Sequence, residues 1–299
     1  MVAPIAVVLA QLAAGPWSSS RPAECAVAVG RATNVWERAK SPELGRYCDL
    51  VASASSKLAG STATAQAALD AAHEADTVLP GHAAPLALQG RALAALGKID
   101  DAYRALRDAG ARDARVLDDP PALLAWARVL ARTGHAADAA KAYRALLPRA
   151  AGLGSNDRAA AATEAGLVGM SLGPPGLDDA AAAFREAMHG AQDEIEPVAA
   201  LGLALALDRR GDSGEARALL ADRVRGDPRV FLATPRAQEL LAVAPGEGEA
   251  LLALGLEASD PSGAREEWEK YAAEASPWAA HARAHQAALG SKAGARRRP

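Results

Sequence analysis

Apolar residues recur at three- and four-residue spacing along most of this chain, the period of one face of an α-helix. From Pro197 to Pro228 a stripe of Ala200, Leu203, Ala204 and Leu207 runs into a turn at Gly211. A second stripe of Ala216, Leu219 and Leu220 follows and stops at Asp227-Pro228. Gly after a periodic run and Pro beyond the next are helix stop signals, so the segment predicts two helices joined by a tight turn. The same order recurs in Pro85 to Ala109, where Leu86, Gly90, Leu93 and Leu96-Gly97 precede Ala102, Leu106 and Ala109. In Pro120 to Leu147, Leu123, Trp126, Ala127, Leu130 and Gly134 precede Ala139, Tyr143 and Leu146. In Ala159 to Ala187, Gly166 and Leu172-Gly173 precede Ala180, Phe184 and Ala187, with Pro174-Pro175 inserted in the turn. Period-two alternation and β-branched runs are nearly absent, so the pattern predicts an all-α chain.

The flanks carry weaker copies. Leu50 to Pro80 places Ala68, Ala72, Ala75 and Pro80 at fitting offsets after a Ser-rich first helix. Glu247 to Tyr271 offers Leu251, Leu252 and Leu254, then Ala264, Trp268 and Tyr271, with Ser259-Asp260-Pro261-Ser262-Gly263 in place of the usual turn. An extra helix is expected over Pro235 to Val243 and a capping helix over Trp278 to Leu289. The expected organisation is a leader over 1–28, N-terminal helices with a degenerate repeat over 29–82, and four repeats over 83–228. An extra helix, a degenerate repeat and a cap follow over 229–289, and a basic tail over 290–299.

These offsets resemble the tetratricopeptide repeat, about 34 residues of two helices with small residues where the helices meet. Gly90, Ala127, Gly166 and Ala204 take the small position of the first helix, and Ala102, Ala139, Ala180 and Ala216 that of the second. The resemblance implies an α-α superhelical solenoid whose first helices line a concave groove for a segment of another protein. Carried across by alignment, the groove position is Arg91, Arg128, Leu167 and Leu205, with Leu124 one turn before Arg128 and Arg132 one turn after it. Guanidinium giving way to aliphatic side chains suits a partner with an acidic end and an apolar segment, because Arg binds carboxylates bidentately. The alternative is that these arginines are solvated and paired with local acids. Asn34 and Asn156 do not match the places from which the family's chaperone-tail variety grips a terminal carboxylate.

Composition supports the helical reading: half of the residues are apolar while aromatics are 4%. Much of the apolar share is Ala, the best helix former and the least bulky between helices. With 33 basic and 36 acidic residues the net charge of −3 advertises neither nucleic acid nor an anionic membrane. Arg296, Arg297 and Arg298 form a local basic end, read as a solvated tail. Met1 to Ala14 is an apolar, uncharged run short for a bilayer span and suited to a signal-peptide core, followed by Gly15-Pro16 and small residues. No Lys or Arg precedes it, and a first helix of a cytoplasmic protein is the alternative. Export to the periplasm or cell envelope is expected, with no transmembrane span in the mature chain. Cys25 and Cys48 can pair in an oxidising compartment. Two straight helices would hold them more than about 7 Å apart, so a bridge requires Cys25 to precede the helix.

Candidate chemistry is sparse. His281 and His285 stand one helical turn apart, a spacing able to chelate zinc, but Ala282 occupies the place of the zinc-protease Glu and no neighbour in sequence offers a third ligand. They are read as surface histidines, and no metal or cofactor is assigned. Neither cysteine has a neighbouring His, and nucleophile-elbow and phosphate-loop patterns are missing. Asp100-Asp101, Asp178-Asp179 and Glu266-Glu267 read as helix starts. Arg210-Gly211-Asp212-Ser213 spells an adhesion tetrapeptide, yet its Gly falls at the repeat's turn, with Arg209 and Arg210 in the last turn of one helix and Asp212 or Ser213 to cap the next. The sequence thus points to a non-catalytic protein-interaction scaffold. A structural component of an envelope assembly and an accessory subunit of an enzyme are the alternatives.

Overall fold

A computed structural model describes residues 22, 24, 25, 41–59, 62–190, 194–274 and 276–295. The leader apart from Pro22, Glu24 and Cys25, the residue Asn34 and the three arginines at 296–298 lie outside the described residues. Among the described residues there is no strand. The helices are α1 (Pro42–Leu58), α2 (Ala65–Val78), α3 (Ala83–Ala95), α4 (Ile99–Arg112), α5 (Pro120–Arg132), α6 (Ala136–Leu146), α7 (Ser155–Ser171) and α8 (Leu177–Gly190). They continue with α9 (Glu196–Arg209), α10 (Ser213–Arg223), α11 (Pro228–Leu232), α12 (Pro235–Leu241), α13 (Glu247–Leu256), α14 (Pro261–Ala273) and α15 (Ala279–Ala295). The chain divides within α5 into two compact units, Met1–Val129 and Leu130–Pro299. No helix among the described residues is long and apolar enough to cross a membrane.

In the first unit α1 packs on α2, α2 on α3 and α3 on α4. Close approach is possible because one side of each contact is small. A Cβ on Gly90 of α3 would fall 2.5 Å from Cγ of Leu106 on α4, a contact no real side chain makes. The N-terminal end of this unit is a core of Cys25, Tyr47, Val51, Ala54, Ala72, Ala75 and Leu88. Cys25 and Cys48 are joined by a disulfide with Cα atoms 5.6 Å apart. Glu24, beside Cys25, accepts a hydrogen bond from the Tyr47 hydroxyl at 2.7 Å. Burial and that carboxylate push the Tyr47 phenol well above its usual range.

The hairpin turns share one geometry. After α9, Gly211 has φ +94°, in the left-handed region, and the Asp212 N–H donates to Leu207 O at 2.9 Å. That bond satisfies a carbonyl the helix end would leave open, and only Gly takes such a φ without cost. The turns at Gly97 and Gly134 repeat it, with Lys98 N–H to Leu93 O at 2.9 Å and His135 N–H to Leu130 O at 2.8 Å. Where Pro174 follows Gly173 the corresponding donor is missing, and a 3₁₀ turn over Pro174–Gly176 leads into α8. The tetrapeptide at 210–213 is therefore turn backbone. Asp212 stands at the N-cap of α10 but makes no side-chain cap bond. The Ser213 hydroxyl instead donates back to Asp208 Oδ1 at 2.8 Å, so neither residue caps α10 as expected.

In the second unit, α7 packs on α8, α8 on α9, α9 on α10, α13 on α14 and α14 on α15. Three helices here start on an acceptor followed by Pro: Asp227, Thr234 and Asp260 accept from the backbone N–H of Arg229, Ala237 and Gly263. Pro at the first helical position suits a site whose N–H has no partner within the helix. Asp100-Asp101 and Asp178-Asp179 do lie in first turns, of α4 and α8. Glu266-Glu267 instead falls in the middle of α14.

Candidate functional site

The chemistry of the second unit gathers where α15 meets the C-terminal ends of α7 and α9. Just before α15, the Trp278 indole N–H donates to the Met170 carbonyl of α7 at 2.8 Å. That carbonyl lies in the last turn of its helix, where the intrahelical ladder runs out. The Trp278 ring covers the guanidinium of Arg209, 4.8 Å from its centre. Arg209 lies in the last turn of α9, as expected from the sequence, at the end where a cation suits the helix dipole. Its side chain is fully buried, with Nη1 2.7 Å from Glu247 Oε2 and Nη2 donating to the Tyr271 hydroxyl at 2.7 Å. Burial first, then the negative charge of Glu247, pushes the Tyr271 phenol up to about 12.

The preceding residue, Asp208, points to α15. His281 Nε2 and His285 Nε2 each lie 2.8 Å from its Oδ2. Burial opposes charge on Asp208, but bonds from His281, His285 and Ser213 outweigh it and hold the carboxyl well below its usual range. It is therefore an acceptor, and both imidazoles donate through Nε2–H. His285 Nδ1 donates in turn to Glu257 Oε1 at 2.5 Å, and Glu257 also accepts from the Trp268 indole at 2.9 Å. Burial works against a charge on His285, yet the two carboxylates raise it to about 9. Its ring lies against that of the fully buried Trp268, with centroids 4.7 Å apart. The two histidines read as surface residues are thus half-buried, with side chains 23% and 18% exposed. Their shared acidic partner, Asp208, comes from α9, which spacing within α15 could not reveal.

The residues assigned to the groove have diverse settings. Arg91, Leu124 and Arg128 belong to the first unit, and Arg132, Leu167 and Leu205 to the second. Leu167 and Leu205 are fully buried, and Leu124 is 5% exposed. These three are core residues here, because their helix faces are covered by neighbouring helices, and they do not line an open surface. Burial lowers the Arg91 guanidinium from its usual value, and the charge of nearby Asp119 opposes that shift. Arg128 is half-buried and Arg132 exposed.

The chain matches no family profile and no curated protein. Among solved structures it is similar to a chain of Naa15/Naa10 bound to HypK-THB, at 15% identity and TM-score 0.40, over 85% of this chain. It spans about a third of that protein's length, 34%. It is also similar to a thermophilic TPR protein of Thermus thermophilus, at 17% identity and TM-score 0.20, over 76% of this chain and 91% of that one. The chain is built of TPR-like helical hairpins. Its glycine turns and the small residues between paired helices carry that description.

Proposed function

We propose that this chain is a non-catalytic scaffold that holds an acidic segment of a protein partner. The observation that carries the reading is Arg132, exposed in the last turn of α5. Its guanidinium can bind a carboxylate bidentately through charge-assisted hydrogen bonds. Arg91 leaves the recognition set, since a carboxylate placed there would face Asp119 and a loss of binding would report folding. The variant R132E is expected to lose at least tenfold of the partner crosslinked to the wild-type chain in native extract, with helical circular dichroism unchanged. An unchanged partner set would refute the arginine site.

Export is part of the same reading, supported by the bond between Cys25 and Cys48, since disulfides persist in oxidising compartments. Residues 1–28 fused to a reporter active only outside the cytoplasm should give signal. A silent fusion removes export from the proposal.

A further inference from the structure

We infer that Asp208, His281 and His285 form a binding site for one divalent transition-metal ion of the zinc type. Three side chains from two helices converge, and their ligand atoms all lie within 4.8 Å of one another. Two imidazoles and a carboxylate are a donor set that zinc accepts, and three protein ligands leave a fourth position for water. The partly exposed faces of His281 and His285 give water that access. Each Nε2 now stands 2.8 Å from Asp208 Oδ2. With zinc–nitrogen bonds of about 2.0–2.1 Å, tetrahedral donors sit roughly 3.3 Å apart, so each of these two distances needs to open by about half an ångström.

The surroundings are arranged as a ligand set would require. Ser213 occupies Asp208 Oδ1, leaving Oδ2 toward the imidazoles. Glu257 accepts from His285 Nδ1, the carboxylate contact that fixes a ligating imidazole's tautomer and presents its Nε2 lone pair. Trp268 donates to the same Glu257 Oε1 and lies against the His285 ring at a tilt of 33°. Arg209, the adjacent cation, is neutralised by Glu247. Asp208 and Glu257 supply two negative charges, which match a divalent ion once both imidazoles present a bare Nε2, with the His285 Nε2 proton passing to solvent and its Nδ1–H kept toward Glu257. Nothing in the α15 sequence alone reports this, because Ala282 removes the familiar pattern and Asp208 lies 73 residues away.

The test uses the untagged full-length chain, stripped with chelator. Titration with Co²⁺, followed by its visible absorption, and with Zn²⁺ by calorimetry should each saturate at one equivalent. Glu257→Gln should weaken binding roughly 10–100-fold, as loss of an orienting carboxylate does. His281→Ala should lose the Co²⁺ spectrum. In the wild type, independent of any variant's folding, one equivalent of Zn²⁺ should shift the NMR ring signals of His281 and His285 and leave the other four histidines in place. Three results would overturn the site: no saturable binding at one equivalent, equal affinity in a folded His281→Ala chain, or shifts confined to other histidines.

Discussion

Glu247→Leu is expected to destabilise the second unit by about 3–5 kcal/mol, the usual consequence of removing one member of a buried ion pair. The variant leaves the Arg209 guanidinium with no side chain accessible to water and with its carboxylate gone. Tyr271, which donates to Glu247 Oε1 at 3.1 Å, would lose that acceptor too. Neither neighbour compensates: a phenol oxygen and the face of Trp278 attract a cation but do not neutralise it. The double variant R209M/E247L should recover most of the loss, because two apolar side chains of similar volume bury no charge. Urea unfolding followed by tryptophan emission measures both, as a shift in midpoint at constant slope. A loss below about 1 kcal/mol in the single variant would mean that water reaches the pair.

Gly202→Ala should cost about 3 kcal/mol, the upper end for overpacking one methyl group. Phe184 of α8 is fully buried between two helices that both offer glycine. A Cβ on Gly202 of α9 would overlap the ring outright, and one on Gly166 of α7 would sit 2.6 Å from it on the other side. A ring pressed from α9 cannot retreat toward α7, so the backbone must shift. Shortening the ring in G202A/F184L should relieve part of the cost, and a double-mutant cycle reads that coupling directly. If the two changes are additive, the ring has another way out.

The all-α class and the hairpin turns were legible because they depend on local signals: Ala-rich period-3.6 stripes, and Gly wherever φ must turn positive. The paired small residues were half legible. Gly166 stood out from its repeat offset, whereas Gly202 did not, since it meets Phe184 of the preceding hairpin and not its own partner helix. The site was not legible. Arg209 in the last turn of α9 and Glu247 in the first turn of α13 have an adequate local explanation in the helix dipole, whereas Asp208 and Glu257, at C-terminal ends, oppose it and take their explanation from partners elsewhere in the chain. Their partners range from 5 to 77 residues away, and the imidazoles lie 28 to 77 residues from the carboxylates that hold them. Leu167 and Leu205 were assigned to an open face because alignment gives a position in a helix but not the neighbour that covers it.

Trp278 bonded to the Met170 carbonyl, 108 residues earlier, has a consequence for how such a chain can evolve. An open array of hairpins touches only nearest neighbours, so copies can be gained or lost with little penalty. In the second unit the last helix is keyed to both α7 and α9. Duplicating or deleting the α13 and α14 hairpin would carry Trp278, His281 and His285 away from Met170 and Asp208. The repeat number of this unit is thereby locked, and its sequence is free to vary by substitution but not by the recombination that usually diversifies repeat proteins.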